Sequence, residues 1–133
     1  MNPRFLLDTH VVVRWLYEPK KLSRGQSRLL DEAVRNDECV GVSAFSLLEI
    51  ALLAERRERL IVKVDQIFDE LDRNPVFRII PLTTDVLREV AALGDALRDP
   101  ADRVIVATAR IHRLRLLTAD QRIIASKLVG VIE

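Results

Sequence analysis

Residues 40–54 constrain the fold most, because one carboxylate, Glu49, stands there among otherwise uncharged residues. Residues 39–42 predict a strand that leads directly into a helix, and Ser43 is placed to cap that helix. Apolar side chains surround the predicted helix almost completely, and only Ser46 and Glu49, three residues apart on one face, interrupt them. A helix with this pattern is expected to be buried.

A carboxylate in such a setting has to be compensated. Burying the ionised group without a cation or strong hydrogen-bond donors costs several kcal/mol, unless its pKa rises until the group is neutral. The simplest interpretation is that Glu49 pairs with an arginine or reaches water at the edge of the helix. The sequence therefore predicts a positive partner for Glu49, and the other acids of the chain suggest what that partner is.

Composition sets broader limits. A chain of 133 residues and 15.2 kDa, of which 49% are hydrophobic, predicts a single domain over residues 1–133. Lys+Arg 21 against Asp+Glu 20 gives a net charge of +1, so overall charge does not indicate a nucleic-acid partner. The lone Cys39 predicts a small core residue in a reducing cytoplasm. Asp8 and Arg14 interrupt the apolar residues near the start, so we expect neither a signal peptide nor a membrane span.

Short apolar runs alternate with helical patterns along the chain. Predicted strands cover residues 4–7, 39–42, 76–80, 114–118 and 128–132. Predicted helices cover residues 9–17, 22–36, 44–54, 64–74, 81–93, 101–112 and 120–126, with a charged, weakly structured connection after Arg56. Ser23 and Gln26 have the spacing of a capping box. Strands separated by helices pair in parallel, so we predict an α/β fold, a three-layer α/β/α sandwich with a mainly parallel sheet of four to five strands.

Acidic residues follow several of these predicted strands. Asp8 ends the first, Glu49 follows the second, Asp120 follows the strand at 114–118, and Asp99 and Asp102 precede a helix after a long crossover. In open parallel sheets, ligands bind beyond the carboxyl ends of the strands, so these acids are expected to converge. Two carboxylates about 4 Å apart repel by about 4 kcal/mol at an effective dielectric near 20. Such a cluster needs protonation or divalent cations, and oxygen ligands suit Mg²⁺ or Mn²⁺ better than zinc.

Each acid also has a purely structural interpretation. Asp99 is well placed as a helix N-cap, with Pro100 at the first helical position and Asp102 at the third, where the unsatisfied N–H groups and the helix dipole favour negative charge. Asp8 and Asp120 could likewise cap the helices that follow them. For Asp99 taken alone, the cap is the preferred interpretation.

Other polar and aromatic residues leave two interpretations open. Thr9 and Thr118 are either turn hydroxyls or groups that orient neighbouring carboxylates. His10 and His112 are expected at the surface or partly buried rather than as ligands, and Trp15 is expected in the core or an interface. A basic group near the end of the chain is either a solvated face or a binding site for a phosphate backbone: Arg103, Arg110, Arg113 and Arg115.

Four segments in this order, FLLDTH, SAFSLLEIALL, RDPADRVIVATA and LLTAD, resemble the motifs of PIN-domain ribonucleases. More narrowly, the chain resembles the toxin of a VapBC-type toxin–antitoxin pair, over residues 4–124. The acidic quartet of that family maps onto the four acids Asp8, Glu49, Asp102 and Asp120. Asp99 is an additional acid, which would ligate metal, cap its helix or contact water at the metal, and Thr9 and Thr118 would be supporting groups.

The resemblance implies metal-dependent hydrolysis of RNA by in-line attack, leaving a 5′-phosphate and a 3′-hydroxyl. Mg²⁺ or Mn²⁺ would supply positive charge at the phosphate and an activated water. Asp8 and Asp102 would be the principal ligands, and Glu49 and Asp120 would complete the site. The resemblance also implies a homodimer and a small antitoxin that inserts a helix or tail into an apolar groove and often brings an arginine toward the acids. Apolar candidates for these surfaces are Trp15, Leu16, Phe45 and Leu53.

Two other classes of function compete with this hypothesis. A Mg²⁺-dependent phosphatase or phosphotransfer domain could use Asp8 as its nucleophile, but that family needs a second aspartate two residues later, where this chain has His10. A phosphoaspartate trapped on Asp8 would favour it. A non-catalytic binding module, in which the acids only cap helices, predicts no stabilisation by a divalent cation.

Overall fold

The computed structural model describes residues 2–55 and 63–133, and its five strands form one parallel sheet in the order β3-β2-β1-β4-β5. The strands are β1 (Phe5–Leu7), β2 (Val40–Ser43), β3 (Phe77–Ile80), β4 (Arg115–Leu117) and β5 (Val131–Ile132). The helices are α1 (Thr9–Tyr17), α2 (Arg24–Arg35), α3 (Ala44–Glu55), α4 (Val64–Arg73), α5 (Thr84–Ala92), α6 (Pro100–Ile111) and α7 (Gln121–Ser126), with a 3₁₀ turn at Pro19–Lys21. The connection predicted after Arg56 lies outside the described residues.

Neighbouring residues of the central strands point to opposite faces of the sheet, as the period of two requires. Leu6 and Leu116 pack into one core cluster, together with residues of α5, α6 and α7. Leu7 and Leu117 pack into a second cluster, with residues of α1, α2, α3 and α4. The predicted three-layer sandwich is therefore confirmed. No helix in the described ranges is long and apolar enough to cross a membrane.

The start of α2 and the end of the chain show where local sequence signals succeed and fail. The predicted capping box is present, because Ser23 Oγ accepts from the Gln26 N–H at 3.1 Å and Gln26 Oε1 accepts from the Ser23 N–H at 3.5 Å. The last strand is shorter than the predicted 128–132. Lys127 adopts a left-handed conformation with φ 56, and the chain turns before it joins the sheet at Val131.

Helix α3 begins as predicted but is not buried all round. Ser43 Oγ accepts from the Phe45 N–H at 3.1 Å, and Ile50 is fully buried. Leu48 and Leu52, one turn apart, are 50% and 51% exposed, so the prediction of complete burial is wrong. The helix covers one face of the sheet and leaves an apolar strip on its outer side, because no described element packs over those two residues.

Two of the arginines grouped above have structural roles. Arg103 donates to the carbonyls of Val90, Gly94 and Leu97, each at 2.6 Å, and so ties the connection between α5 and α6 to the start of α6. Arg110 pairs with Glu89 at 2.9 Å. These contacts favour a structural role for Arg103 and Arg110, and the two interpretations stay open for Arg113 and Arg115, which are exposed.

Candidate active site

An acidic cleft of about 480 Å³ opens beyond the carboxyl ends of β1, β2 and β4. All four acids of the predicted quartet line it, and so does Asp99. We call these five carboxylates the acid cluster: Asp8, Glu49, Asp99, Asp102 and Asp120. The expected convergence of these side chains follows from the parallel sheet, since four of the acids lie at or near a helix start at this edge and Glu49 lies in the second turn of α3.

Asp8 both caps a helix and faces the cleft. Its Oδ1 accepts from the Thr9 N–H at 2.8 Å, and its Oδ2 accepts from the Thr118 hydroxyl at 2.8 Å. Thr118 Oγ1 in turn accepts from the Asp120 N–H at 3.0 Å. One buried hydroxyl therefore fixes the carboxylate at the end of β1 relative to the loop that follows β4.

Glu49 is held by hydroxyl groups rather than by a charge. Its Oε1 accepts from the Thr9 hydroxyl at 2.5 Å, and Thr9 Oγ1 lies 2.8 Å from Ser46 Oγ. Burial raises the pKa of Glu49, repulsion from Asp8 and Asp99 adds to the rise, and the Thr9 hydrogen bond opposes it. The ion pairs found within the described ranges do not include Glu49. The positive partner predicted for this residue is thus not supplied by the described part of the chain.

The start of α6 contributes two acids with different surroundings. Asp99 is the N-cap, and its Oδ1 accepts from the Asp102 N–H at 3.0 Å, as the structural interpretation predicted. Asp102 points into the cleft with a side chain only 13% exposed. Burial raises the pKa of Asp102 to about 6, and repulsion from Asp120, Asp99 and Asp8 contributes, while Arg122 opposes the shift.

Sequence reasoning missed Arg122, in the first turn of α7. Its Nη2 lies 3.1 Å from Asp120 Oδ2 and 3.2 Å from Asp102 Oδ2, and its Nη1 lies 3.8 Å from Asp99 Oδ2. Burial alone would raise the pKa of Asp120, but hydrogen bonds from the Arg122 side chain and backbone outweigh it and lower that pKa. The sequence offers no signal for this role, because residue spacing does not tell in which direction a long side chain extends.

His10 and the remaining predicted residues lie where packing explains them. His10 Nε2 accepts from the Ala119 N–H at 2.9 Å, and Nδ1 lies 3.6 Å from Asp8 Oδ2. Burial lowers the pKa of His10, and its Nε2, as the acceptor of that N–H, carries no proton. The half-buried ring lines the cleft and links the start of α1 to the loop after β4. His112 is exposed. Trp15 is partly buried and packs edge-to-face on Phe77, with ring centroids 5.4 Å apart, against the second core cluster.

The acid cluster has the chemistry that a divalent cation needs. All its candidate ligands are carboxylate oxygens, which suit Mg²⁺ and Mn²⁺. Asp102 Oδ2 is buried without a hydrogen bond, although Arg122 Nη2 is 3.2 Å away, because that contact lacks hydrogen-bond geometry. No three His, Cys, Asp or Glu side chains of the described chain already surround one point, so binding would require side-chain movement.

Residues 5–127 match the family model described as PIN domain, and the chain belongs to the PIN-domain family. It is 38% identical over 120 residues to Ribonuclease VapC22 from Mycobacterium tuberculosis, which covers 89% of this chain and 88% of the relative.

Solved structures share the same fold. A toxin–antitoxin complex from Klebsiella pneumoniae superposes with a TM-score of 0.69 at 22% identity, over 97% of this chain and 96% of that one. FitAcB from Neisseria gonorrhoeae superposes with a TM-score of 0.66 at 26% identity, over 97% of this chain and 96% of that one.

Proposed function

We propose that this PIN-domain protein is a Mg²⁺- or Mn²⁺-dependent ribonuclease and the toxin of a VapBC-type toxin–antitoxin pair. The observation that carries the proposal is the meeting of Asp8, Glu49, Asp102 and Asp120 in one cleft at the carboxyl edge of a parallel sheet. Similarity to a curated ribonuclease supports the choice of RNA over other phosphodiesters.

The acids would have different roles in metal binding and proton transfer. Asp8 and Asp102 would be the principal ligands, with Glu49 and Asp120 completing the site and Asp99 adding negative charge at its edge. A bound divalent cation supplies positive charge at the phosphate and acidifies water. One of these carboxylates would take the proton of the attacking water, and Glu49, whose pKa is raised by burial, is a candidate beside Asp102. Thr9, which donates to Glu49, would hold that carboxylate in place.

Substrate phosphates on either side of the scissile bond need positive charge near the cleft. Arg14 and Lys21 line the cleft, and Lys21 Nζ is 2.7 Å from Glu18 Oε2. Arg14 and Lys21 would take this role from Arg103 and Arg110, which make structural contacts, and Lys21 would exchange Glu18 for the phosphate. Phosphate contacts of this kind would give affinity without sequence preference.

Partner binding would use apolar surface outside the cleft. The strip formed by Leu48 and Leu52 on α3 is a candidate surface for a second copy or for an antitoxin. An antitoxin arginine brought toward the acid cluster would meet carboxylates whose charge is only partly compensated. We also infer that the protein works in the cytoplasm, which agrees with a single cysteine.

Replacing Asp102 by asparagine tests the catalytic proposal. We expect the Asp102→Asn variant to cleave RNA at least about a hundredfold more slowly than wild type, because one charged ligand is lost while the side-chain shape is kept. The measurement is cleavage of single-stranded RNA by purified protein, with EDTA stopping the reaction and Mn²⁺ restoring it.

The matched control is Asp95→Asn, which removes one charge from an exposed position outside the cleft. Its activity should stay within about twofold of wild type. A folded Asp102→Asn protein with near-normal activity would refute the assignment of the site.

A further inference from the structure

Arg122 lies among the carboxylates of the acid cluster, and it is not part of the four-acid motif of the family. Its guanidinium reaches Asp120, Asp102 and Asp99, at 3.1, 3.2 and 3.8 Å. Its positive charge therefore pairs with three of the five carboxylates of the acid cluster. We propose that Arg122 is a built-in counter-ion that competes with the divalent cation for Asp102 and Asp120 and so sets the cation concentration at which the cleft fills. This inference rests on the proposed function.

The contacts of Arg122 suit a group that can leave. Its side chain is 65% exposed, and the hydrogen bonds and ion pairs of its guanidinium within the described ranges all go to the three carboxylates. Lysine and arginine side chains at exposed positions change rotamer within nanoseconds. Among the described polar contacts of the guanidinium, its displacement therefore breaks only those with these three carboxylates.

The guanidinium makes different contacts with Asp120 and with Asp102. Asp120 receives hydrogen bonds from Arg122 Nε at 3.4 Å, from Nη2 at 3.1 Å and from the Arg122 backbone N–H at 2.9 Å. Asp102 receives only an ion pair, and its buried Oδ2 has no hydrogen bond. A divalent cation would satisfy that oxygen better, since metal coordination does not need the N–H direction that Arg122 fails to offer.

Arg122 could compete with the cation or could support Asp120 as a ligand, and the two roles predict opposite changes in cation affinity when Arg122 is removed. If Arg122 competes, its removal takes one positive charge from the neighbourhood of the ion, and the cation binds more tightly. If Arg122 instead only holds Asp120 in a binding position, its removal loosens a ligand, and the cation binds more weakly. One unit charge a few ångström away in a partly solvated site changes affinity by about tenfold.

The test is a titration of metal-free protein with Mn²⁺, in which free Mn²⁺ is measured by electron paramagnetic resonance. Compared variants are Arg122→Ala, Arg122→Lys and the control Arg88→Ala, which removes an arginine that is 77% exposed and outside the cleft. We expect Arg122→Ala to bind Mn²⁺ about tenfold more tightly than wild type. Arg122→Lys keeps the charge but loses the planar guanidinium, so its Mn²⁺ affinity should lie between those of wild type and Arg122→Ala. The Mn²⁺ affinity of Arg88→Ala should match that of wild type.

Two results would overturn the inference. Equal or weaker Mn²⁺ binding by Arg122→Ala, with wild type binding normally, would reject competition and leave the proposed function standing. Failure of wild type itself to bind Mn²⁺ would reject the proposed function and this inference together. Circular dichroism of each metal-free variant shows whether the fold is kept, and the exposed position of Arg122 predicts that it is.

Discussion

Thr118 links two acids of the cleft through a single hydroxyl. It donates to Asp8 Oδ2 at 2.8 Å, accepts from the Asp120 N–H at 3.0 Å and is fully buried. Valine has nearly the same shape but would leave a buried carboxylate oxygen and a backbone N–H without this partner. We expect Thr118→Val to lower the free energy of unfolding by about 1–3 kcal/mol and to reduce RNA cleavage.

The matched control for this change is Thr108→Val. Thr108 is also fully buried, but its hydroxyl donates only to the Val104 carbonyl, one helical turn earlier, at 2.8 Å. Urea unfolding of both variants measures the difference. Equal losses of stability in the two proteins would contradict the linking role of Thr118.

The protonation of Asp102 predicts how the metal-free protein responds to pH. Burial, aided by the neighbouring acids, raises the pKa of Asp102 from 3.8 to about 6, so between these values the folded state holds a proton that the unfolded chain has released. The resulting stabilisation is complete below pH 3.8 and is lost as the pH rises through 6. Wild type should therefore lose stability relative to Asp102→Asn between pH 4.5 and 7.

Denaturant unfolding of both proteins in EDTA across this range checks the expected trend. A difference between them that stays constant, or that grows in favour of wild type with rising pH, would show that Asp102 is not perturbed as its surroundings indicate. Asp95→Asn, changed at an exposed site, should track wild type throughout.

At the scale of elements, the connection between α5 and α6 places Asp99 and Asp102 in the cleft, and Arg103 holds that connection. Its planar fork donates to three carbonyls, of Val90, Gly94 and Leu97, which a lysine ammonium on a different stem does not reproduce. We expect Arg103→Lys to lower the free energy of unfolding by about 1–3 kcal/mol. Thermal unfolding measures this loss. The control Arg98→Lys, an exposed change on the same connection, should have little effect on stability, and equal effects of the two changes would contradict the role given to Arg103.

The order of elements was predictable because strand and helix periods differ clearly in this sequence and each boundary has its own signal. Ser23 with Gln26, and Asp99 with Pro100, mark helix starts that the structure confirms. The predicted start of the last strand was wrong because the backbone turns at Lys127. The predicted complete burial of α3 was also wrong, because an apolar circumference does not reveal which side of a helix lacks a covering element.

The acid cluster was predictable for a related reason, since a helix cap that follows a parallel strand lies at the edge where ligands bind. Asp8 and Asp99 are both caps and cleft residues, so the two interpretations of these acids were never exclusive. Arg122 was not predictable, because its role depends on the direction of a long side chain across two loops. Spacing along the chain carries no such information.

At the scale of the whole molecule, the central claim is that four acids from separate elements share one divalent cation. Thermal unfolding with and without Mn²⁺, for wild type and for Asp8→Asn, tests it most directly. At a Mn²⁺ concentration of 100 times the dissociation constant, wild type should gain about 2.7 kcal/mol of stability, and Asp8→Asn should gain much less. An unfolding temperature of wild type that Mn²⁺ leaves unchanged would contradict the claim and favour a non-catalytic module whose acids only cap helices.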